Sequence, residues 1–170
     1  NATPAERKEL AVLSESLFIP VRSQELDALV DELQGGQPLK QSNFLWVTHA
    51  LSDIPAMAFA LRRAGLSPNR SIVVGTPYGT NNTVKHTLEK MGFDVRHPEL
   101  KTSQYRQKVA GALESAIARG RTNGQRILVL DDGGLVTDIL HEKVKANPQR
   151  YADVINRIKI VEQTTGGVNL

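Results

Sequence analysis

The sequence predicts an α/β fold in which a mainly parallel β-sheet is covered by helices on both faces. Two observations support this prediction. From Asn43 onward, short apolar runs alternate with longer segments whose apolar residues recur at helical spacing. The runs FLWV, IVV and ILVL are apolar throughout rather than at every second residue, as expected of strands buried on both sides. Strands separated by helices imply right-handed crossovers, so the expected architecture is a three-layer Rossmann-like sandwich.

Two expected helices precede this alternating region. Apolar residues recur at helical spacing in two runs, which are separated by Pro20 and followed by Gly35 and Gly36. The first run contains Leu10, Leu13 and Leu17, and the second contains Leu26, Leu29, Val30 and Leu33. We therefore expect residues 1–42 to form N-terminal helices that pack on a single domain spanning residues 43–170.

The alternating region predicts five strands with helices between them. The expected strands are FLWVTH, SIVVGT, FDVRHP, RILVLD and RIKIVEQ. The expected helices are IPAMAFALRRAG, NNTVKHTLEKMG, a segment from about Ser103 to Arg119, VTDILHEKVKA and PQRYADVINR. Gly65 closes the first of these helices, and Gly120 with Asn123-Gly124 is expected to end the longest one.

Composition places the chain among single-domain globular proteins. Its 170 residues are 40% hydrophobic, and they contain neither an apolar run long enough to span a membrane nor the apolar core of a signal peptide. The absence of cysteine excludes disulfides and thiolate metal sites. The net charge of +3 is scattered and aromatic residues are only 5%, which disfavours nucleic-acid binding. We expect a cytoplasmic protein with no membrane and no nucleic-acid partner.

Polar residues follow the predicted strands at the ends where parallel sheets collect their ligands. The segments expected to share this rim are Thr48-His49, GTPYGTNN (75–82), DDGG (131–134) and QTTGG (163–167). A turn with a helix cap at Thr80 or Asn82 is sufficient by itself to explain GTPYGTNN and is the favoured interpretation of that segment. Neither GxxxxGK[ST] nor a strand-linked GxGxxG occurs, so the rim is not a typical nucleotide-phosphate site.

The adjacent carboxylates of Asp131 and Asp132 are the most informative pair on this rim. Two neighbouring charges repel, so at least one of them is expected to have a partner in the site. A capping aspartate followed by turn glycines is the competing interpretation. His49, taken alone, is more often a structural hydrogen-bonding residue than a catalyst. The remaining histidines show no metal-ligand spacing, and no metal site is expected.

The segments ILVLDDGGLVTDILHE (127–142) and EQTTGGVNL (162–170) resemble two signatures of the adenosylhomocysteinase (S-adenosylhomocysteine hydrolase) family. In that family DDGGDLTNLxH precedes EETTTGVHNL, in the same order. The resemblance extends upstream, where His49 falls on the histidine of the family's LHMTVET segment and GTNN (79–82) falls on its STQD segment. The resemblance covers about residues 43–170.

The resemblance implies that this region is a substrate-binding domain and that a separate domain of a longer parent chain holds NAD. The family enzyme oxidises the ribose 3′-hydroxyl of its substrate, eliminates homocysteine, adds water and reduces the ketone again. By this carry-over, Asp132 contacts the ribose or takes part in proton transfer, and His49 relays protons or positions the substrate. Asp131 is counted among the substrate-binding residues and orients the turn beside the substrate, and Thr164 and Thr165 contact the nicotinamide end of NAD.

Four further positions match substrate-binding positions of the family, namely Asp53, Thr80, Asn82 and Gln163. Gln163 replaces a glutamate, so it keeps hydrogen bonding but cannot act as a base. Asp53 replaces a glutamate, Asn82 replaces an aspartate, and Leu51 replaces a threonine. Each of these changes removes charge, reach or a hydroxyl from the implied pocket.

The leading interpretation is the substrate-binding part of an adenosylhomocysteinase-like hydrolase of one-carbon metabolism. Its parent would hydrolyse S-adenosylhomocysteine or a related nucleoside thioether. This chain alone is expected to bind a nucleoside but no NAD, and to be inactive, because the family's GxGxxG lies beyond Leu170. The alternative is a non-catalytic nucleoside-binding or regulatory module, and a different NAD-dependent oxidoreductase is a third interpretation. Whether the parent is an active enzyme or a homo-oligomer stays open.

Overall fold

The computed structural model describes residues 24–33, 37–77, 79–97 and 102–162, together with Pro4 and Lys8. The strands are β1 (Ser42–Thr48), β2 (Ser71–Gly75), β3 (Asp94–Arg96), β4 (Arg126–Asp131) and β5 (Ile158–Glu162). The helices are α1 (Gln24–Glu32), α2 (Ile54–Arg63), α3 (Asn82–Lys90), α4 (Thr102–Asn123), α5 (Leu135–Ala146) and α6 (Pro148–Tyr151). Short 3₁₀ helices at Pro68–Arg70 and Ile155–Arg157 lead directly into β2 and β5.

The described strands form one sheet in the order β3-β2-β1-β4-β5, and each neighbouring pair is parallel. β1 is central, and all seven of its residues are buried. β2 and β3 extend the sheet to one side of β1, whereas β4 and β5 extend it to the other. The direction of growth therefore reverses between β1 and β4, which makes this pair the topological switch point of the sheet.

Helices cover both faces of the sheet, and each face has its own hydrophobic core. Because side chains alternate along a strand, β1 directs Leu45 and Val47 to one face and Phe44 and Trp46 to the other. The first core is completed by Val109, Leu113 and Ile117 of α4 with Val136, Ile139 and Leu140 of α5, and the second by Phe59 of α2 with Val84 and Leu88 of α3. The predicted three-layer Rossmann-like sandwich is confirmed.

The longest helix, α4, extends beyond its predicted end. Gly120 and Asn123-Gly124 were together expected to end it. The helix includes Gly120 and continues to Asn123, and the chain then turns at Gly124 with φ +69°, so the stop at Asn123-Gly124 is confirmed and the stop at Gly120 is not. A Cβ built on Gly120 would lie 2.8 Å from the Cδ1 atom of Ile127. The predicted end near Arg119 is therefore wrong, because this glycine allows α4 to pack closely against β4 instead of terminating the helix.

The segment PQRYADVINR is not the continuous helix that its pattern predicts. α6 covers only Pro148–Tyr151, and a separate 3₁₀ helix covers Ile155–Arg157. Between them the backbone N–H of Val154 donates to the carbonyl of Tyr151 at 3.1 Å, which forms a tight turn. Tyr151 and Val154 are both buried in the core that contains α4 and α5. The turn buries both side chains and brings the chain to the start of β5.

The described part of the predicted N-terminal helices is α1. The helix expected around Leu10, Leu13 and Leu17 lies outside the described residues. α1 contacts α2, where the guanidinium of Arg63 donates to Asp31 at 2.6 Å. The division into residues 1–42 and 43–170 stays a prediction.

Candidate functional site

The candidate site lies at the carboxyl ends of β1 and β4, where ligands of open parallel sheets bind. Val47 in β1 and Asp131 in β4 are paired positions in the sheet. The backbone N–H of Asp132 continues this pairing by donating to the Val47 carbonyl at 3.2 Å. His49 follows the end of β1, so the topology brings His49 and Asp132 to the same point of the rim.

His49 and Asp132 face each other across the switch point. The Nε2 atom of His49 lies 3.6 Å from Oδ2 of Asp132, and the two side chains are 36% and 15% exposed. Both groups are therefore accessible from the rim while being close enough to interact electrostatically. An imidazole beside a carboxylate can donate, accept and exchange protons with a polar ligand. The structure therefore brings together two of the residues expected in the site, His49 and Asp132.

Thr76 holds the other ring nitrogen of His49. The Oγ1 atom of Thr76 lies 3.2 Å from His49 Nδ1, and Thr76 is only 2% exposed. Its backbone N–H donates to the carbonyl of Thr48 at 3.1 Å, which fixes the loop after β2 to the end of β1. The sequence did not single out Thr76, since a threonine after a strand is common in turns. Its position just past β2 is the one local signal that marks it.

The loop that contains Thr76 is folded tightly over the histidine. A Cβ built on Gly79 would lie 2.1 Å from His49 Nδ1 and 2.6 Å from Thr76 Oγ1, so glycine is required by the close approach. The hydroxyl of Thr80 donates to the Thr76 carbonyl at 2.9 Å. Asn81, rather than Thr80 or Asn82, caps α3, because its side chain accepts from the backbone N–H of Thr83. The predicted choice of cap was therefore wrong by one residue.

Asp131 is fully buried and caps α5. Its Oδ2 atom accepts from the backbone N–H of Val136 at 2.9 Å, and from the backbone N–H and hydroxyl of Thr137 at 3.1 and 3.3 Å. The expected capping role is confirmed. Its Oδ1 atom has no hydrogen-bond partner among the described residues. Burial raises the pKa of Asp131 above its ordinary value, and the charge of Glu162 adds to the rise. The hydrogen bonds from Thr137 and Val136 lower the pKa but do not outweigh these effects.

Glu162, at the end of β5, is a further carboxylate at this end of the sheet. It is paired with Asp131 in the β4–β5 register, and its Oε1 atom accepts from the backbone N–H of Gly133 at 3.0 Å. This contact holds the glycine turn between the aspartate pair and α5. Glu162 was expected at the end of the last strand and as the first residue of EQTTGGVNL (162–170), without a role of its own in the site. The sequence does not show that β4 and β5 are neighbours, and this contact depends on it.

Three other predicted positions, Asp53, Thr80 and Asn82, lie in the described segments that follow β1 and β2. Asp53 is exposed at the start of α2, where its side chain makes no capping hydrogen bond. Asn82 is the exposed first residue of α3, and Thr80 is partly buried in the loop before it. Leu51, in place of the family threonine, is 49% exposed. Gln163, Thr164 and Thr165 lie outside the described residues.

Two searches of the described residues bear on partners. No group of three or more histidine, aspartate or glutamate side chains is arranged to hold a metal ion in this part of the chain. In the same part, every helix is too short or too polar to cross a membrane. Comparison of the sequence with protein-family models and with curated proteins finds no match.

Proposed function

We propose that the chain is a nucleoside-binding domain of the adenosylhomocysteinase type, with its ligand at the carboxyl ends of β1 and β4. The observation that carries the proposal is the His49–Asp132 pair, whose facing atoms are 3.6 Å apart and accessible at the switch point of the sheet. The motif resemblance independently assigns these two residues to the substrate. In the longer parent, the proposed reaction is hydrolysis of S-adenosylhomocysteine or a related nucleoside thioether.

The side chains of the site are proposed to have different roles in binding the ribose of a nucleoside. The carboxylate of Asp132 accepts hydrogen bonds from ribose hydroxyl groups, and the imidazole of His49 is close enough to share a proton with the same hydroxyls. Asp131 contributes indirectly, since its hydrogen bonds to Val136 and Thr137 fix the turn that carries Asp132. Thr80 and Asn82, at the start of α3, and Asp53, at the start of α2, are proposed to line the periphery of the ligand.

The described residues do not fit NAD. Dinucleotide-binding folds use glycines in the turn after the first strand so that the backbone can approach the pyrophosphate. The corresponding turn here, residues 48–53, contains no glycine. Any NAD is therefore proposed to belong to another domain of the parent, with Thr164 and Thr165 reaching toward it, and no step of the chemistry is assigned to it here.

A non-catalytic nucleoside-binding or regulatory module is the second candidate. It is favoured by the exposed Leu51, which offers no hydroxyl where the family has a threonine, and by Gln163, which cannot act as a base. Both candidates require the same nucleoside site. They differ in turnover, so a parent protein that retains bound NAD but does not convert adenosine and homocysteine would be a module and not a hydrolase.

Calorimetry with adenosine tests the shared part of the proposal. The substitution Asp132→Asn should weaken adenosine binding about 10- to 100-fold, because a hydrogen bond to a charged group contributes about 1.5–3 kcal/mol. The matched control is Asp153→Asn, since Asp153 is an exposed carboxylate paired with Arg121 and is located just before β5, at the opposite end of the sheet. The control should bind adenosine as the unmodified protein does.

Deoxynucleosides show which group Asp132 contacts. Either 2′-deoxyadenosine or 3′-deoxyadenosine should bind more weakly than adenosine to the unmodified protein, and this difference should disappear in the Asp132→Asn variant. If Asp132→Asn instead weakens the binding of adenosine and of each deoxyadenosine by the same factor, Asp132 does not contact the ribose hydroxyl groups. No detectable heat with adenosine at millimolar concentration would refute the proposed function.

A further inference from the structure

We infer that Thr76 is a positioning residue that fixes the tautomer of His49, so that the Nε2–H group of the ring faces Asp132 and the ligand. The use made of His49 rests on the proposed function, whereas the tautomer follows from the geometry alone. Thr76 is 2% exposed and so does not reach a ligand on the rim itself. Its hydroxyl, which contacts the ring of His49, is therefore inferred to affect binding through His49.

The donors and acceptors around His49 determine which nitrogen carries the hydrogen. A neutral imidazole has one N–H donor and one bare nitrogen acceptor. Nε2 faces Asp132 Oδ2 at 3.6 Å, and an ionised carboxylate presents only acceptor atoms. The contact is longer than a full hydrogen bond, but it favours placing the hydrogen on Nε2. Nδ1 is then the acceptor, and the hydroxyl of Thr76, 3.2 Å away, is its donor.

The position of the Thr76 hydroxyl is fixed by its backbone. The N–H of Thr76 donates to the Thr48 carbonyl at 3.1 Å, which continues the β1–β2 pairing past the last paired residues. The carbonyl of Thr76 accepts from the hydroxyl of Thr80 at 2.9 Å and from the backbone N–H of Gly79 at 3.4 Å. The donor therefore belongs to a loop that is held at both its amide and its carbonyl.

Gly79 closes the loop over the same ring nitrogen. A Cβ at this position would lie 2.1 Å from Nδ1 and 2.6 Å from Thr76 Oγ1. The absence of a side chain lets the backbone approach the edge of the ring beside Nδ1 and the Thr76 hydroxyl. The hydroxyl is thus the group inferred to select the tautomer, and the glycine allows the loop to come close enough for that contact.

Nitrogen-15 spectra of the imidazole rings at about pH 8, where most imidazoles are neutral, test this inference directly. The His49 signals are assigned by their loss in a His49→Gln variant. In the unmodified protein, Nδ1 should have the shift of a bare nitrogen and Nε2 that of a protonated one. Thr76→Val, which removes the hydroxyl at nearly constant shape, should raise the Nδ1–H population, and Thr76→Ser should restore the original spectrum.

Thr87→Val is the matched control. Thr87 is a fully buried threonine of α3 whose hydroxyl donates to the Thr83 carbonyl at 2.8 Å. Removing it deletes a buried hydroxyl without touching the site, so the His49 tautomer should be unchanged. Adenosine affinity should fall about threefold to tenfold in Thr76→Val, as expected for one neutral hydrogen bond, and recover in Thr76→Ser.

The outcomes separate the tautomer from the proposed function. An Nδ1–H form of His49 in the unmodified protein overturns the inference, and this result does not depend on whether any variant folds. An unchanged tautomer in folded Thr76→Val also overturns it, as does an equal change in Thr87→Val. Failure of adenosine to bind the unmodified protein would refute the proposed function. The nitrogen-15 spectra would still show whether Thr76 fixes the tautomer of His49.

Discussion

Asp131 provides the sharpest test of how the fold supports the site. Its Oδ2 atom is the acceptor for two backbone N–H groups and one hydroxyl at the start of α5. Asp131→Ala leaves these donors without an acceptor. A buried donor left unsatisfied costs about 1–3 kcal/mol, and the Thr137 amide is only partly buried, so we expect a loss of about 2–4 kcal/mol in the free energy of unfolding. Asp131→Asn retains an acceptor oxygen and should lose about 1 kcal/mol.

Urea denaturation at neutral pH, followed by far-UV circular dichroism, measures both losses. The m-values should match that of the unmodified protein, since the folded and unfolded surfaces are nearly unchanged. A loss below about 1 kcal/mol for Asp131→Ala, or an equal loss for the two variants, would refute the reasoning that the carboxylate holds α5 through these donors.

The same residue predicts a dependence on pH. Burial raises the pKa of Asp131 above its ordinary value of 3.8. The native state then holds this proton more tightly than the unfolded state does, so the stabilisation is present at low pH and is lost as the pH rises through the raised native pKa. The Asp131→Asn variant does not titrate at this position. The stability advantage of the unmodified protein over this variant should therefore shrink as the pH rises from about 4 toward neutrality. An advantage that grows over this interval would show the opposite sign of the pKa shift.

Substitutions elsewhere test the packing and the surface charges. Gly111→Ala, on α4 where an added Cβ meets nothing within 4 Å, should raise the free energy of unfolding by about 0.5–1 kcal/mol in urea denaturation. Gly79→Ala should lower that free energy and weaken adenosine binding, because its Cβ would lie 2.1 Å from His49 Nδ1; an unchanged affinity would contradict the tight loop. Burial acts to raise the pKa of Glu114, but hydrogen bonds, led by that from Tyr151, outweigh it and hold the pKa below its usual 4.5. Glu114→Gln should therefore be less stable than the unmodified protein at neutral pH, with a difference that shrinks as the pH falls through the lowered pKa; thermal melts that show a constant difference would exclude this.

The centre of the sheet was predictable because β1 and β2 are buried on both faces and therefore appear as unbroken apolar runs between helices. The ends of the elements were less predictable, and Gly120 illustrates the reason. A glycine near the end of a helical pattern is typical of a helix stop, but here it makes room for the side chain of Ile127. That contact depends on how α4 lies against β4, which local sequence does not specify. The same limit applies to the segment PQRYADVINR. Its helical pattern predicts one continuous helix, but burial of Tyr151 and Val154 requires a turn within it.

The site shows a similar division between local pattern and spatial arrangement. Asp131 and Asp132 are adjacent in the sequence but have different environments, since the first is fully buried and caps α5, whereas the second is partly exposed and faces His49. The two aspartates could be identified directly from the sequence, and the capping interpretation is confirmed for Asp131. A ligand contact of Asp132 stays a proposal. Thr76 could not be found in this way. Its contact with His49 requires β2 to lie beside β1 with Thr48 opposite Gly75, so that the residues following both strands meet. A shift of the β1–β2 register by one residue would separate Thr76 from His49 without changing the sequence of either segment. The contact between these two residues is therefore determined by the pairing of the strands and not by a sequence motif.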